Sequence, residues 1–439
     1  MIRNLERYLL VLPTALVFTF SQAQQATTLP EPLTLEAALA VANNPEHFQI
    51  RRSQESLNLV LSESEANLSD NDVTVNLSGR LRKVGVSDVG DPDEDNDSVI
   101  SLFARKPLYD FGKSSRLDEV SQIKYELAEL EQAIVIEQRE LDITRKYLDV
   151  INADNEYLRH NEDLAIGFIR WDRARENLEL GLTSELDVIE KQAAYERIRQ
   201  HRYGSENRQR LTRIILAEAM GYPDSPPSEL AVPDFNRTAT LGDDVDKLVE
   251  QALQYSLAAR IQQKKLQLAT KNIELASDTV NPSLKGELEY SEYAREGGTR
   301  DDWRATIYFD VPLYSGRRES SRVAIAQSRH RQALSDQMKL HSDLRIQVLE
   351  LWQTIRQSRL ELDGALINQE YRDMYLDRSR AEYELEFKSD LGDAMVEFSN
   401  SRMLVYRSAF EHEMAWRKLE KLVGKTFLQN LHNSGDNNG

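Results

Sequence analysis

The chain has 439 residues, no cysteine, and 73 acidic against 55 basic side chains, for a formal net charge of −18. That balance excludes disulfides, thiolate metal sites, a Cys nucleophile and an acylated N-terminal Cys, and it disfavours a nucleic-acid partner. With 29% charged residues, and past the N-terminus no apolar run near the roughly 20 residues of a spanning helix, a bundle of membrane helices is disfavoured too.

The N-terminus reads as a secretory signal over 1–23. Arg3 and Arg7 precede an apolar stretch over 8–20, and Ser21-Gln22-Ala23 offers small residues for cleavage. The alternative is an N-terminal membrane anchor, which the shortness of the stretch and the Gln-rich sequence after it disfavour. Two repeats are expected next, over 24–232 and 233–426, followed by a disordered tail over 427–439.

Residues 33–44 predict a short amphipathic helix with Thr34 as its N-cap, and Pro45 is expected to start a second helix running to about Leu68. From Val73 the period changes to two: Val73, Val75, Leu77, Gly79 and Leu81 alternate with polar residues over about ten positions, a strand with one apolar face. An acidic turn over 90–98 leads to a second strand over 99–106. There Ile100, Leu102 and Ala104 share a face and Phe103 blurs the alternation. A helix is then expected over 113–177, roughly 95 Å long at 1.5 Å per residue. Gly181 punctuates it, and a second helix over 184–220 stops at Gly221.

A Pro-rich connector over 222–243 precedes the second copy. Its expected elements are one helix over 245–278, a strand over 284–291, a polar turn over 296–302, a strand over 303–311, a long helix over 317–386 and a last helix over 390–423. Pro107-Leu108-Tyr109 recurs as Pro312-Leu313-Tyr314, and residues 180–187 (LGLTSELD) match 385–392 (LEFKSDLG) at the same offset.

The strands have the length of tilted strands crossing a bilayer, and Trp303, Tyr290, Phe309 and Tyr314 suit its interfaces. Four strands leave open edges, which in lipid cost several kcal/mol per unpaired backbone group, so closure needs further chains. Two chains or three both satisfy that count. A half-buried sheet in a soluble domain, and a solid coiled-coil bundle, are the competing readings of the same periods. Seven scattered His form no ligand set, and no Gly-x-Ser-x-Gly elbow or P-loop pattern occurs. The expectation is no enzyme, no cofactor and no metal.

The layout resembles the TolC family of bacterial outer-membrane efflux proteins over nearly the whole mature chain. The marks are Leu33-Thr34-Leu35-Glu36-Ala37-Ala38 with Asn43-Asn44-Pro45, Pro107-Leu108-Tyr109-Asp110-Phe111-Gly112, Val311-Pro312-Leu313-Tyr314-Ser315-Gly316, and Leu180-Gly181-Leu182 with Asp187-Val188. The resemblance implies a mainly α chain with a membrane β-barrel. It implies a homotrimer, with a 12-stranded barrel in outer-membrane lipid continued by a 12-helix periplasmic coiled-coil tunnel. The implied partners are a periplasmic membrane-fusion adaptor and an inner-membrane pump of RND, ABC or MFS type, and the implied role is a passive conduit for small-molecule efflux or type I secretion. It further implies a channel gate at Asp187, Tyr383 and Lys388, the last in place of a linking arginine, with Asp390 and Asp393 as an entrance ring beside the departures Gly392 and Met395. Gly181, Leu182, Thr183, Ser184, Phe387 and Ser389 would form the adaptor-docking tip. A non-channel periplasmic coiled-coil adaptor is the alternative.

Overall fold

A computed structural model describes residues 29–85, 96–233, 241–242, 244–277, 282–294, 301–314, 316–385 and 390–424. The expected signal segment and tail lie outside these residues.

Each half of the chain contributes two helices, two strands and two long helices. In the first half these are α1 (Leu35–Ala40), α2 (Phe48–Ser69), β1 (Thr74–Arg80), β2 (Val99–Tyr109), α3 (Lys113–Glu179) and α4 (Glu185–Met220). The second half repeats the order as α5 (Val245–Tyr255), α6 (Leu257–Ser277), β3 (Ser283–Tyr293), β4 (Trp303–Asp310), α7 (Arg318–Glu384) and α8 (Leu391–Val423). Helices α3 and α7 have 67 residues each and start and end at the spacing of the sequence duplication. Each is about 100 Å long.

Helix α1 ends at Ala40 rather than Asn44 and β2 runs on to Tyr109, and two further boundaries shift through local capping. Helix α2 begins at Phe48 rather than Pro45. Asn44 Oδ1 accepts from the Glu46 amide at 3.0 Å and His47 Nδ1 accepts from the Gln49 amide at 3.2 Å, so residues 44–47 form a polar turn that caps the helix. The single helix expected over 245–278 is two. Ser256 takes an extended conformation (ψ 142°) and its hydroxyl accepts from the Ala259 amide at 3.2 Å, ending α5 and capping α6. Thr34 caps α1 as expected, accepting from the Ala37 amide.

The four strands form one antiparallel sheet in the order β1-β2-β3-β4. Register places Val75 opposite Ala104, Leu77 opposite Leu102, Leu102 opposite Tyr290, Ala104 opposite Leu288, Leu288 opposite Ala305 and Tyr290 opposite Trp303. Directly opposed residues share a face, so one face is apolar across all four strands and its large side chains are exposed. The other face carries Asn76, Ser78, Ser101, Arg105, Glu287, Glu289 and Arg304. There Arg105 pairs with Glu287, Ser101 and Ser291 meet at 2.6 Å, and Tyr308 donates to Glu287 at 3.1 Å. Phe103, which blurred the alternation, lies on this polar face beneath the Arg105 guanidinium, 4.8 Å from its ring.

On the far side of the long helices from the sheet, α4 packs on α3, α3 on α8 and α8 on α7; nearer the sheet, α2 and α6 both lie on α3, and α6 also on α7. Two cores clasp the middles of the long helices. In the first, Ile143, Tyr147 and Val150 of α3 pack with Leu33, Ala38, Leu216 and Met220. The Tyr147 hydroxyl reaches the carbonyls of Leu33 (2.7 Å) and Ala231 (2.5 Å), and burial pushes its pKa up to about 12. In the second, Val348, Leu351 and Ile355 of α7 pack with Leu248, Ala252, Trp416 and Leu419. Away from this belt the helices form a single layer, which leaves long apolar side chains exposed along α4 and α7.

Candidate functional site

The end of the helical layer farthest from the sheet holds those expected gate and tip residues that are described. Helix α3 ends in a Schellman motif. Gly181, at φ 73°, lets the Leu182 amide reach the Asn177 carbonyl (2.8 Å) and its own amide reach Leu178 (3.0 Å). Thr183 and Ser184 follow, and Ser184 caps α4 in a capping box with Asp187: the Asp187 amide donates to Ser184 Oγ at 3.2 Å and the Ser184 amide to Asp187 Oδ2 at 3.1 Å. Both hydroxyls also donate to that oxygen, Ser184 at 2.7 Å and Thr183 at 2.9 Å, which holds the Asp187 carboxyl below the usual range. This turn displays Leu180, Leu182 and Leu186, each more than 70% exposed.

The second turn runs from Leu385 to Asp390. The expected residues Phe387, Lys388 and Ser389 lie outside the described residues. Asp390 folds back on α7, where its carboxylate accepts from the Tyr375 hydroxyl at 2.5 Å and from Ser379 at 3.1 Å; these two bonds hold its pKa down. Asp393, one turn on, points the other way and pairs with Arg170 of α3 at 2.5 Å. The two aspartates expected to share a face thus bind different neighbours. Tyr383 is exposed and hydrogen-bonds to nothing among the described residues, and Asp187 is satisfied within its own turn. The chain alone therefore does not join Asp187 to Tyr383.

Sequence reasoning missed Arg170, Tyr375 and Ser379. Arg170 belongs to a row on α3 at four-residue spacing that faces α8: Glu162 accepts from Ser399, Ile166 meets Gly392, and Arg170 meets Asp393. That row was the available signal. Gly392 takes a place where a Cβ would lie 2.9 Å from Ile166 Cγ2, so a side chain there requires Ile166 or its helix to shift.

The fold built from these elements recurs in solved proteins. VceC of Vibrio cholerae, an outer-membrane protein, superposes with a TM-score of 0.67 over 89% of this chain and 96% of its own, at 14% identity. CmeC of Campylobacter jejuni, an outer-membrane channel, gives 0.70 over 89% and 85%, at 13% identity. The chain has the TolC-like fold. In sequence, CyaE of Bordetella pertussis is 23% identical over 270 residues, which cover 60% of this chain and 56% of CyaE. The chain thus matches little more than half the length of that relative. No family model matches it. Within the TolC-like fold the Schellman turn and Asp390 close the two helical hairpins, and Arg170–Asp393 is an ion pair joining one hairpin to the other.

Proposed function

We propose that the chain is the subunit of a trimeric outer-membrane channel in a tripartite export system, a passive conduit whose helical end is opened by an adaptor and a pump. The sheet carries this reading. Its apolar face is exposed across four strands, its opposite face is polar, and β1 and β4 each end the sheet with an open edge. Such a sheet is stable in lipid only when copies close it into a barrel, because unpaired edge groups in hydrocarbon cost several kcal/mol each. Tyr290 and Trp303 are paired at one end of the apolar band; Phe309, within 6.4 Å of Phe111, lies at the other. The six residue steps from Trp303 to Phe309 span about 20 Å, near the height of a membrane band.

The helices complete the reading. The apolar side chains exposed on α4 (Leu186, Ile189, Ile214) and α7 (Met338, Ile346, Ile367) lie on the flanking helices of the layer, where neighbouring copies would cover them. The tip leucines suit an adaptor, and Asp187, Tyr383 and Lys388 are the residues proposed to link neighbouring copies at the closed end, with Arg170–Asp393 inside each copy. Likeness to export proteins favours small-molecule efflux or type I secretion, with energy supplied by the pump. A periplasmic adaptor is disfavoured by a sheet that leaves its apolar face uncovered.

Fractionation tests this directly. The expected result is recovery of the full chain in the outer membrane as an oligomer of three by native mass. Recovery as a soluble periplasmic monomer overturns it.

A further inference from the structure

A groove of about 700 Å³ lies between α3, α4 and α8. Its α3 wall consists of Arg145, Leu148, Asp149, Asn152, Ala153 and Glu156. At 100° per residue, Arg145, Asp149, Asn152 and Glu156 point away from Tyr147, which is buried beneath Leu33 and the connector carbonyl of Ala231. With α4 on one flank of α3, α8 on the other and the belt elements covering the Tyr147 side, the groove occupies the remaining face. If the helices wall a tunnel, as proposed above, added elements have room only on its outside, so this face is the inner wall.

The groove's charges balance, and most are already engaged. Arg208 reaches Glu156 at 3.4 Å and Arg407 reaches Glu411 at 3.2 Å. Arg145 and Asp149 are left: they line the groove one helical turn apart and make no hydrogen bond or ion pair within 4 Å among the described residues. The attraction of an exposed Arg and Asp at i,i+4 is worth only a few tenths of a kcal/mol, so both stay available to a ligand. The Asn152 Oδ1 atom is shielded from solvent and has no partner. Across the groove, Met403, Phe410 and Met414 supply an apolar wall, and methionine adapts to irregular ligands.

We propose that this groove is a binding station for zwitterionic amphiphiles, molecules with an apolar body and an amino-acid-like head. Asp149 receives the ammonium, Arg145 the carboxylate, and the Met403–Phe410–Met414 wall the body. A volume of this size suits a drug-sized guest. The inference rests on the tunnel reading for its location and not for its chemistry.

Dansyl-lysine is a suitable probe, since its fluorescence reports an apolar setting and its head is a zwitterion. Dansylcadaverine is the same molecule without the carboxylate. Titrated into the purified full-length oligomer, dansyl-lysine is expected to bind saturably, one per chain, at least about fivefold more tightly than dansylcadaverine. Arg145→Ala should abolish that preference without weakening dansylcadaverine, and Asp149→Asn should weaken both probes. Both side chains are exposed, so the variants should keep the oligomer's size and helical signal. Non-saturable uptake, or equal binding of the two probes by all three proteins, overturns the proposal. Bilayer conductance of the same preparation separates the two readings: channels without saturable binding remove the station and keep the channel, whereas binding without channels does the reverse.

Discussion

At the scale of single residues, the most consequential side chain outside the tip is Arg139. It is 4% exposed and makes no ion pair within 4 Å among the described residues. Its guanidinium donates to the Ala42 carbonyl after α1 (2.7 Å), to the Ala219 carbonyl in the last turn of α4 (3.1 Å) and to His47 Nδ1. The carbonyl ends of helices carry partial negative charge, which substitutes here for a counterion. His47 must stay neutral to accept from Arg139 and from the Gln49 amide. Burial, then Arg139 and Lys146, lower its pKa from 6.5 to about 4, against a small opposing effect of Asp142. A depressed histidine stabilises the fold above its unfolded pKa. As pH falls from 6.5 towards 4 the unfolded chain takes up a proton that the folded chain refuses, and up to about 3 kcal/mol is lost. Thermal unfolding followed by circular dichroism should show this loss between pH 7 and pH 4.5. In His47→Asn, which keeps a cap acceptor but cannot titrate, the decline should be shallower. Parallel curves for the two proteins would remove His47 as its source.

At the scale of elements, the strands make the sharpest prediction. Ile307 lies mid-strand in β4, opposite Gly286 on the apolar face, and is 70% exposed. Arginine at such a lipid-facing position costs about 2–4 kcal/mol near the midplane of a membrane barrel. Ile307→Arg should lower the yield of folded oligomer in the outer membrane, whereas Thr306→Arg on the polar face should not; equal yields would argue against lipid on that face. These strands were legible because period two is a strong signal and the register kept it on all four. The long helices were legible through the duplication, which fixed the ends of α3 and α7 relative to each other. The break at Ser256 was hidden because a serine inside a helical period has the same appearance whether it caps or merely sits in the helix. The late start of α2 was hidden for the same reason: Asn44 and His47 act through side-chain hydrogen bonds that periodicity does not register.

At the scale of the whole molecule, the sequence carried the repeat, the sheet and the helical layer. It did not carry the contacts that join the two halves at the tip. Arg170–Asp393 spans residues 223 apart in sequence, and nothing local to either residue announces it. Asp390 and Asp393 looked equivalent by spacing, yet the first folds back onto Tyr375 and Ser379 of α7 and the second bridges to α3. Gly392 looked like a missing aspartate and instead permits the close approach of α8 to Ile166. A tip joined by exposed ion pairs such as Arg170–Asp393 and by carboxylate–hydroxyl contacts is weakly latched, since exposed pairs contribute at most about 1 kcal/mol each. In the proposed oligomer, partners on neighbouring copies would therefore matter as much as its own bonds.

The central claim is that copies of this chain enclose a water-filled path through a membrane, closed at the helical tips. Single-channel recording of the purified full chain in planar bilayers tests it most directly. The account predicts discrete conductance steps that are small in the parent and larger or longer-lived in Arg170→Ala, which releases Asp393. Bilayers that remain silent with both proteins, under conditions where the oligomer has inserted, would contradict it.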